Sequence, residues 1–148
     1  MNEKYESILA RRSIKKYKDT PVPQELLDAV LKAGTYAPTA ANKMSPLIVS
    51  IENKEDRDAL EVLNTTSVGR PAGTPFYGAP NVIVVFAERG NPNGVQDASL
   101  VMANLMHAAN ALGLGSCWIN RAKESFNTDE GKALMAKWGL DPEKWEGV

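Results

Sequence analysis

The sequence predicts a mixed α+β protein in which helices dominate. Three observations carry that expectation. Long segments place apolar residues at helical spacing, a few shorter apolar runs are rich in β-branched residues, and Pro/Gly-rich stretches separate the two kinds. No repeat, low-complexity segment or internal boundary interrupts the pattern, so residues 1–148 read as one domain.

The first helix spans residues 3–10, with Tyr5, Ile8 and Leu9 near one face. A basic segment, residues 11–18, ends at Pro21 and Pro23, and Pro23 is placed to open a second helix at its first turn. Leu26, Leu27, Val30 and Leu31 give that helix its apolar side, and Gly34 ends it. Residues 36–46 hold two prolines among small polar residues and read as a loop. Residues 47–51 suit a strand, and Asn53 suits the N-cap of a helix over 54–63. Residues 64–80 are too long and too rich in Gly and Pro for a tight turn, whereas 81–87 read as a buried strand. After a turn at 90–94, a long helix over 95–112 carries Gln96, Ser99, His107 and Asn110 near one stripe. The rest of it is almost wholly apolar, which predicts burial on most sides. Residues 116–119 are expected to form a third strand, 128–138 a last amphipathic helix stopped by Gly139, and 141–148 an irregular tail.

Composition excludes several classes. Seventeen basic residues against eighteen acidic give a net charge of −1, without the basic excess of a general nucleic-acid binder. Cys117 is the single cysteine, so no intramolecular disulfide or zinc cluster is expected, and a reducing cytoplasmic setting fits. Residues 1–7 are polar, unlike a signal peptide. The longest strongly apolar run, 82–87, is far too short to cross a bilayer as a helix, so no membrane partner is expected.

Three segments could carry chemistry. Arg11, Arg12, Ser13 and Lys15 combine forked guanidinium donors, a hydroxyl and an ammonium at a helix end, which suits a phosphate monoester, although such a charge run taken alone is more often a solvated face. Residues 37–46 offer small residues beside Pro38, Thr39, Ala40, Asn42 and Met44. A planar ring could approach that backbone, and Asn42 could pair with its edge, although a Pro-bounded connection has the same look. Gly113, Leu114, Gly115 and Ser116 follow a helix and precede an apolar run. This is the reverse of the strand–glycine turn–helix order of a dinucleotide site, which argues against Rossmann-type NAD binding. Glycine there could bring main-chain N–H groups to a flat ligand or simply end the helix. His107 has no second histidine to share a metal, and Cys117 has no adjacent base, so both read as structural.

Order and spacing together resemble the nitroreductase family of FMN-dependent oxidoreductases. That family runs Arg-Arg-Ser-x-Arg/Lys, an Ala-Pro-Ser-Ala-x-Asn-x-Gln-Pro loop, Gly-Ala-Pro before a strand, an Asp-Ala helix and an Ala-Leu-Gly-Leu-Gly-Ser/Thr-Cys-Trp turn. Here the matching stretches are 11–15, 37–46, 78–80, 97–98 and 111–118, across nearly the whole chain. The resemblance implies a central, mostly antiparallel sheet flanked by helices in an intertwined homodimer, with the 95–112 helix in its core. Arg11, Arg12, Ser13 and Lys15 would hold the FMN phosphate and ribityl chain, and Lys15 would reach the N1–C2 edge of the ring. Pro38, Thr39, Ala40, Asn42 and the residue at Met44 would contact the ring from the other subunit, with Gly113 to Ser116 near its N5–O4 edge.

The implied activity is ping-pong hydride transfer from NAD(P)H through FMN to a nitroaromatic, quinone or similar small acceptor, without a protein triad. Phe76 and Tyr77 would either wall the acceptor side or pack in the core. The alternative is a flavin-binding carrier or redox sensor with little turnover. Two departures bear on this: Met44 stands where the family usually has glutamine, and the family continues beyond the position of Val148 with a Gly-Tyr-Pro-like strand and a basic segment. The chain is therefore expected to be short at that end, with weaker FMN binding and dimer stability.

Overall fold

The computed structural model describes residues 2–148. Within them the elements run α1 (Glu3–Ala10), α2 (Gln24–Gly34), β1 (Leu47–Ile51), α3 (Lys54–Thr66), β2 (Val82–Glu88), α4 (Gly94–Ala111), α5 (Ala122–Phe126), α6 (Asp129–Lys137) and β3 (Trp145–Gly147). A single 3-10 turn lies at Ala40–Asn42.

The sheet is antiparallel in the order β1-β2-β3, with Leu47 opposite Phe86 and Ile51 opposite Val82 on one side of β2. On the other side Phe86 faces Gly147 and Glu88 faces Trp145. Side chains alternate across a strand, so β2 feeds two cores. Val85 and Ala87 join Val30, Val101 and Leu105 under α2 and α4, whereas Val84 and Phe86 join Leu60, Phe126 and Met135 under α3, α5 and α6. Burial on both faces is why β2 reads as an unbroken apolar run rather than an alternating one.

Local chemistry fixes the helix starts. The Asn53 side chain accepts from the Asp56 N–H at 2.8 Å, as its N-cap position predicted, and the Thr128 hydroxyl accepts from the Gly131 N–H at 3.0 Å. Asp56 is buried and binds α3 to α6: its carboxylate accepts from Lys137 Nζ at 2.6 Å and Trp138 Nε1 at 2.7 Å. Those bonds, with one from Asn53, hold its pKa down to about 2. Gly34 lets α2 meet α4 closely, because a Cβ there would lie 2.7 Å from Leu105 Cδ2.

Four expectations need correction. Residues 116–119 form no strand; Ser116 makes one parallel bridge, to Ser13, because nothing extends a ladder beside the rest. The tail is not wholly irregular, since Trp145–Gly147 pairs with β2. The helix over 54–63 runs on to Thr66. Finally, α4 is not buried on most sides of this chain. Its covered stripe is Asp97, Ala98, Val101, Leu105 and Ala109, while Val95 and Leu100 are 46% and 45% exposed. The apolar excess of α4 outruns what one chain can cover.

Candidate functional site

Where α1 ends, the chain turns into Arg11–Lys15 and runs beside the turn that follows α4. The Ile14 N–H donates to the Ser116 carbonyl at 3.0 Å, next to the Ser13–Ser116 bridge. Contact at Gly115 is so close that a Cβ would sit 2.9 Å from Ile14 Cγ2. Gly113 has φ +76°, the left-handed conformation that closes a helix, and its N–H donates to the Asn110 carbonyl at 3.1 Å. Two of the three segments singled out in the sequence are thus joined: Arg11, Arg12, Ser13 and Lys15 with Gly113, Leu114, Gly115 and Ser116.

Their side chains differ in what they can do. Arg11 is partly buried, and its Nη1 is fully buried with no hydrogen-bond partner. A buried guanidinium nitrogen left without an acceptor is costly, and an anion would relieve it. Arg12 is exposed and turned back, its Nη1 donating to the Leu9 and Arg11 carbonyls at 2.7 and 2.8 Å, so it caps α1. Ser13 and Lys15 are exposed, with Lys15 Nζ 5.5 Å from the centre of the Tyr77 ring. Phe76 and Tyr77 separate: Phe76 packs in the core, and Tyr77, at 41% exposure, faces this rim.

Sequence reasoning passed over Tyr17. Its hydroxyl donates to the Ile14 carbonyl at 2.5 Å, and burial, then the proximity of Cys117 and Tyr77, push its pKa up. A cavity of about 660 Å³ runs inward from the rim, bordered by Tyr17, Gly115 and Cys117 and reaching core residues of both layers.

The third segment lies elsewhere. The backbone N–H of Ala40 donates to Asp97 Oδ1 at 2.9 Å, in the first turn of α4, and Asn91 Nδ2 donates to Ser45 Oγ at 3.0 Å. Thr39 Oγ1 accepts from the Met44 N–H at 2.9 Å. Pro38, Asn42 and Met44 are exposed, and Ala41, Asn42 and Met44 hold φ of 51°, 52° and 53°. Such angles cost about 1 kcal/mol or more each in non-glycine residues, so this loop is held in shape by its contacts. Asp97 was missed as a site residue, although an acid on the apolar stripe of α4 is a readable signal. It is 3% exposed, and its Oδ2 has no partner.

From Asp97 to the end of α4 at Ala111 is about 21 Å at ~1.5 Å per residue. The loop and the glycine turn therefore stand at opposite ends of one helix. Within a single chain they do not meet.

Helical layers on both faces of an antiparallel sheet, with a basic segment bridged to a glycine turn at the end of a long helix, define the class: an α+β protein of sheet and flanking helices. The family is established by comparison. The model of the Nitroreductase family matches residues 8–68 and 64–148, so the chain belongs to that family. A protein of Methanothermobacter thermautotrophicus, provisionally named NADH dehydrogenase/NAD(P)H nitroreductase, is 32% identical over 117 residues, covering 76% of this chain and 58% of its own. The FMN reductase [NAD(P)H] of Bacillus subtilis is 27% identical over 139 residues, covering 78% of this chain and 53% of its own. The chain thus spans little more than half the length of these two relatives. Among solved structures, a nitroreductase with bound FMN from Bacteroides fragilis superposes with a TM-score of 0.88 at 25% identity, covering 99% of this chain and 84% of that one. An FMN-dependent nitroreductase from Clostridium difficile gives a TM-score of 0.77 at 31% identity, covering 95% and 80%. These likenesses bear out the expected fold of antiparallel sheet flanked by helices.

Proposed function

We propose that this chain binds FMN at the rim formed by Arg11–Lys15 and Gly113–Ser116 and acts as an NAD(P)H-dependent oxidoreductase. The observation that carries the reading is the buried, unpartnered Arg11 Nη1 beside a glycine turn bridged to its own segment. That nitrogen is a donor waiting for an acceptor, and a phosphate monoester supplies three oxygens and roughly two negative charges. Arg11 would hold the phosphate, with Ser13 adding a hydroxyl. Lys15 would place its ammonium toward the ring edge, where a cation stabilises added negative charge. Arg12 supports this indirectly by fixing the end of α1. Gly113 and Gly115 keep side chains out of the way of a flat ligand. When bound, FMN would supply the two-electron chemistry, taking hydride from NAD(P)H and passing it to a small acceptor such as a nitroaromatic or quinone in separate half-reactions.

The reading extends to a homodimer. Because Pro38, Thr39, Ala40, Asn42 and Met44 sit at the far end of α4, they would serve a second copy's rim. The exposed apolar side chains of α1 and α4, including Ile8 at 58% and Leu100 at 45%, supply a surface to bury between copies.

The first test is the visible spectrum of the purified chain after loading with FMN and removal of the excess, followed by anaerobic NADPH. Flavin bands that remain and bleach support the reading. Bands that remain without bleaching favour a carrier or sensor, and loss of the flavin refutes both.

A further inference from the structure

Lys15 starts from a pinned backbone. The Ile14 N–H donates to the Ser116 carbonyl at 3.0 Å, and the Ile14 carbonyl accepts from the Tyr17 hydroxyl at 2.5 Å, while Lys15 itself is exposed. An exposed lysine stem keeps most of its rotamer freedom, which a ligand must remove in order to use the ammonium. Here the ammonium already has a place. Lys15 Nζ lies over the Tyr77 ring, 5.5 Å from its centre and within cation–π range.

The ring is held there by its own backbone. Tyr77 and Gly78 have φ of 55° and 71°, and the Ala79 N–H donates to the Phe76 carbonyl at 2.9 Å. Two positive φ values inside such a bond are the pattern of a type I′ turn, whose first central position suits glycine, asparagine or aspartate. Tyrosine in that place is strained, and it persists only where its surroundings fix it. They do so on both sides. The Phe76 N–H donates to Glu61 Oε1 at 3.0 Å, and the Phe76 ring packs in the core. Beyond the turn, the Pro80 carbonyl accepts from Arg57 Nη1 at 2.7 Å, so α3 supplies both anchors. The core does not use the ring so presented, since Tyr77 is 41% exposed. Burial, then the proximity of Cys117 and Tyr77, push the pKa of Tyr17 up, which sets Tyr77 at the same rim as the pinned segment.

We propose that Tyr77 is a positioning residue: its ring keeps the Lys15 ammonium in place for the edge of a bound flavin, and so favours the reduced flavin over the oxidised one. The inference rests on the flavin reading above. Its logic is one of charge. The oxidised ring is neutral and the reduced ring carries added negative charge, so an ammonium kept at its edge binds the second more tightly. A cation–π contact at an exposed site corresponds to about two- to fivefold in population. Phenylalanine keeps the π face, whereas leucine takes the same backbone conformation without it.

The test uses the full chain loaded with FMN and reads the two-electron midpoint potential of the flavin against a redox dye, beside the Kd of oxidised FMN. Tyr77→Leu should weaken binding of reduced flavin about two- to fivefold more than that of oxidised flavin. At ~30 mV per tenfold for two electrons, the potential falls by about 9–20 mV. Tyr77→Phe should leave it unchanged. In a Lys15→Met background Tyr77→Leu should have no further effect, because no ammonium remains to be placed. A second measurement needs neither variant nor flavin: by NMR, the ring current of Tyr77 should shift the Lys15 ε-methylene protons upfield of the ordinary lysine position. Ordinary shifts there overturn the inference, as does an unchanged potential in Tyr77→Leu, and both leave the flavin reading standing. An equal fall in Tyr77→Phe, or in the Lys15→Met background, also overturns it, because Tyr77 would then act on the flavin without Lys15. Failure of the unaltered chain to retain FMN strikes the flavin reading itself, and this inference with it.

Discussion

Gly115→Ala tests whether the glycine turn and the basic segment form one unit. Gly115 lies outside the left-handed region, so its replacement brings no backbone strain. The whole effect comes from contact. The added Cβ would meet Ile14 Cγ2, Cβ and Cγ1 at 2.9, 3.0 and 3.1 Å. Carbon atoms prefer about 3.5–4 Å, so the two segments must separate by roughly half an ångström. Overpacking of this kind costs about 1–3 kcal/mol, and the lower half applies because Ile14 is 37% exposed and can yield. The loss should appear as a fall in Tm of about 3–6 °C for a domain of this size. It should weaken FMN retention as well, because Ile14 lies between Ser13 and Lys15. Adding Ile14→Ala removes the colliding atoms and should recover most of both losses, a coupling of about 1 kcal/mol in a double-mutant cycle. Gly113→Ala is the contrast: no atom lies near its Cβ, its φ is +76°, and its cost of about 1 kcal/mol should be indifferent to Ile14. Additive losses for Gly115→Ala and Ile14→Ala would refute the reasoning.

Arg11→Ala should separate stability from binding. It removes an unpartnered buried donor, so flavin-free Tm should hold or rise slightly, while FMN affinity falls about 10–100-fold by titration, as loss of a charge-assisted bond predicts. Asp56 sets an acid limit. Its folded pKa of about 2 lies below the ordinary 3.8, so its stabilisation is complete above the unfolded value and disappears as pH falls toward 2. Asp56→Ala should lower stability by about 2–3 kcal/mol at pH 7 in urea denaturation and flatten the acid limb, because Trp138 Nε1 then loses its acceptor.

What the sequence revealed follows from how local each determinant is. β2 was legible because both its faces are apolar, and α3 because Asn53 caps it with its own side chain. Residues 116–119 misled because apolar content signals a strand only where a neighbour supplies a ladder, and their neighbour is a cavity. β3 was unreadable since its pairing with β2 is nonlocal and its sequence, Trp145-Glu146-Gly147, has no alternation. Around the candidate site, the sequence offered residue types but not their orientation. Nothing local distinguishes Arg11, which keeps a buried free nitrogen, from Arg12, which folds back onto α1. Asp97 was matched only as part of the Asp-Ala stretch, and its hold on the loop was not legible because its partner, the Ala40 N–H, lies 57 positions away.

The separation along α4 gives the dimeric reading a decisive form. If each flavin site takes its rim from one copy and its loop from the other, two defective chains can repair each other. Arg11→Ala spoils the rim. Asp97→Ala removes the acceptor that holds Ala40 and releases a loop with three strained residues, spoiling the other half. Each variant alone then forms dimers with two impaired sites. Unfolding and refolding an equal mixture gives about half mixed dimers, each with one doubly impaired and one wholly native site. About a quarter of all sites should therefore bind FMN as tightly as the unaltered protein, a fraction readable by flavin titration. If rim and loop of the same chain served one site, every site in the mixture would keep a defect and no tight fraction would appear. The rim–loop distance within one chain favours the first outcome, and the second would mean that α4 does not keep the two segments apart in the working protein.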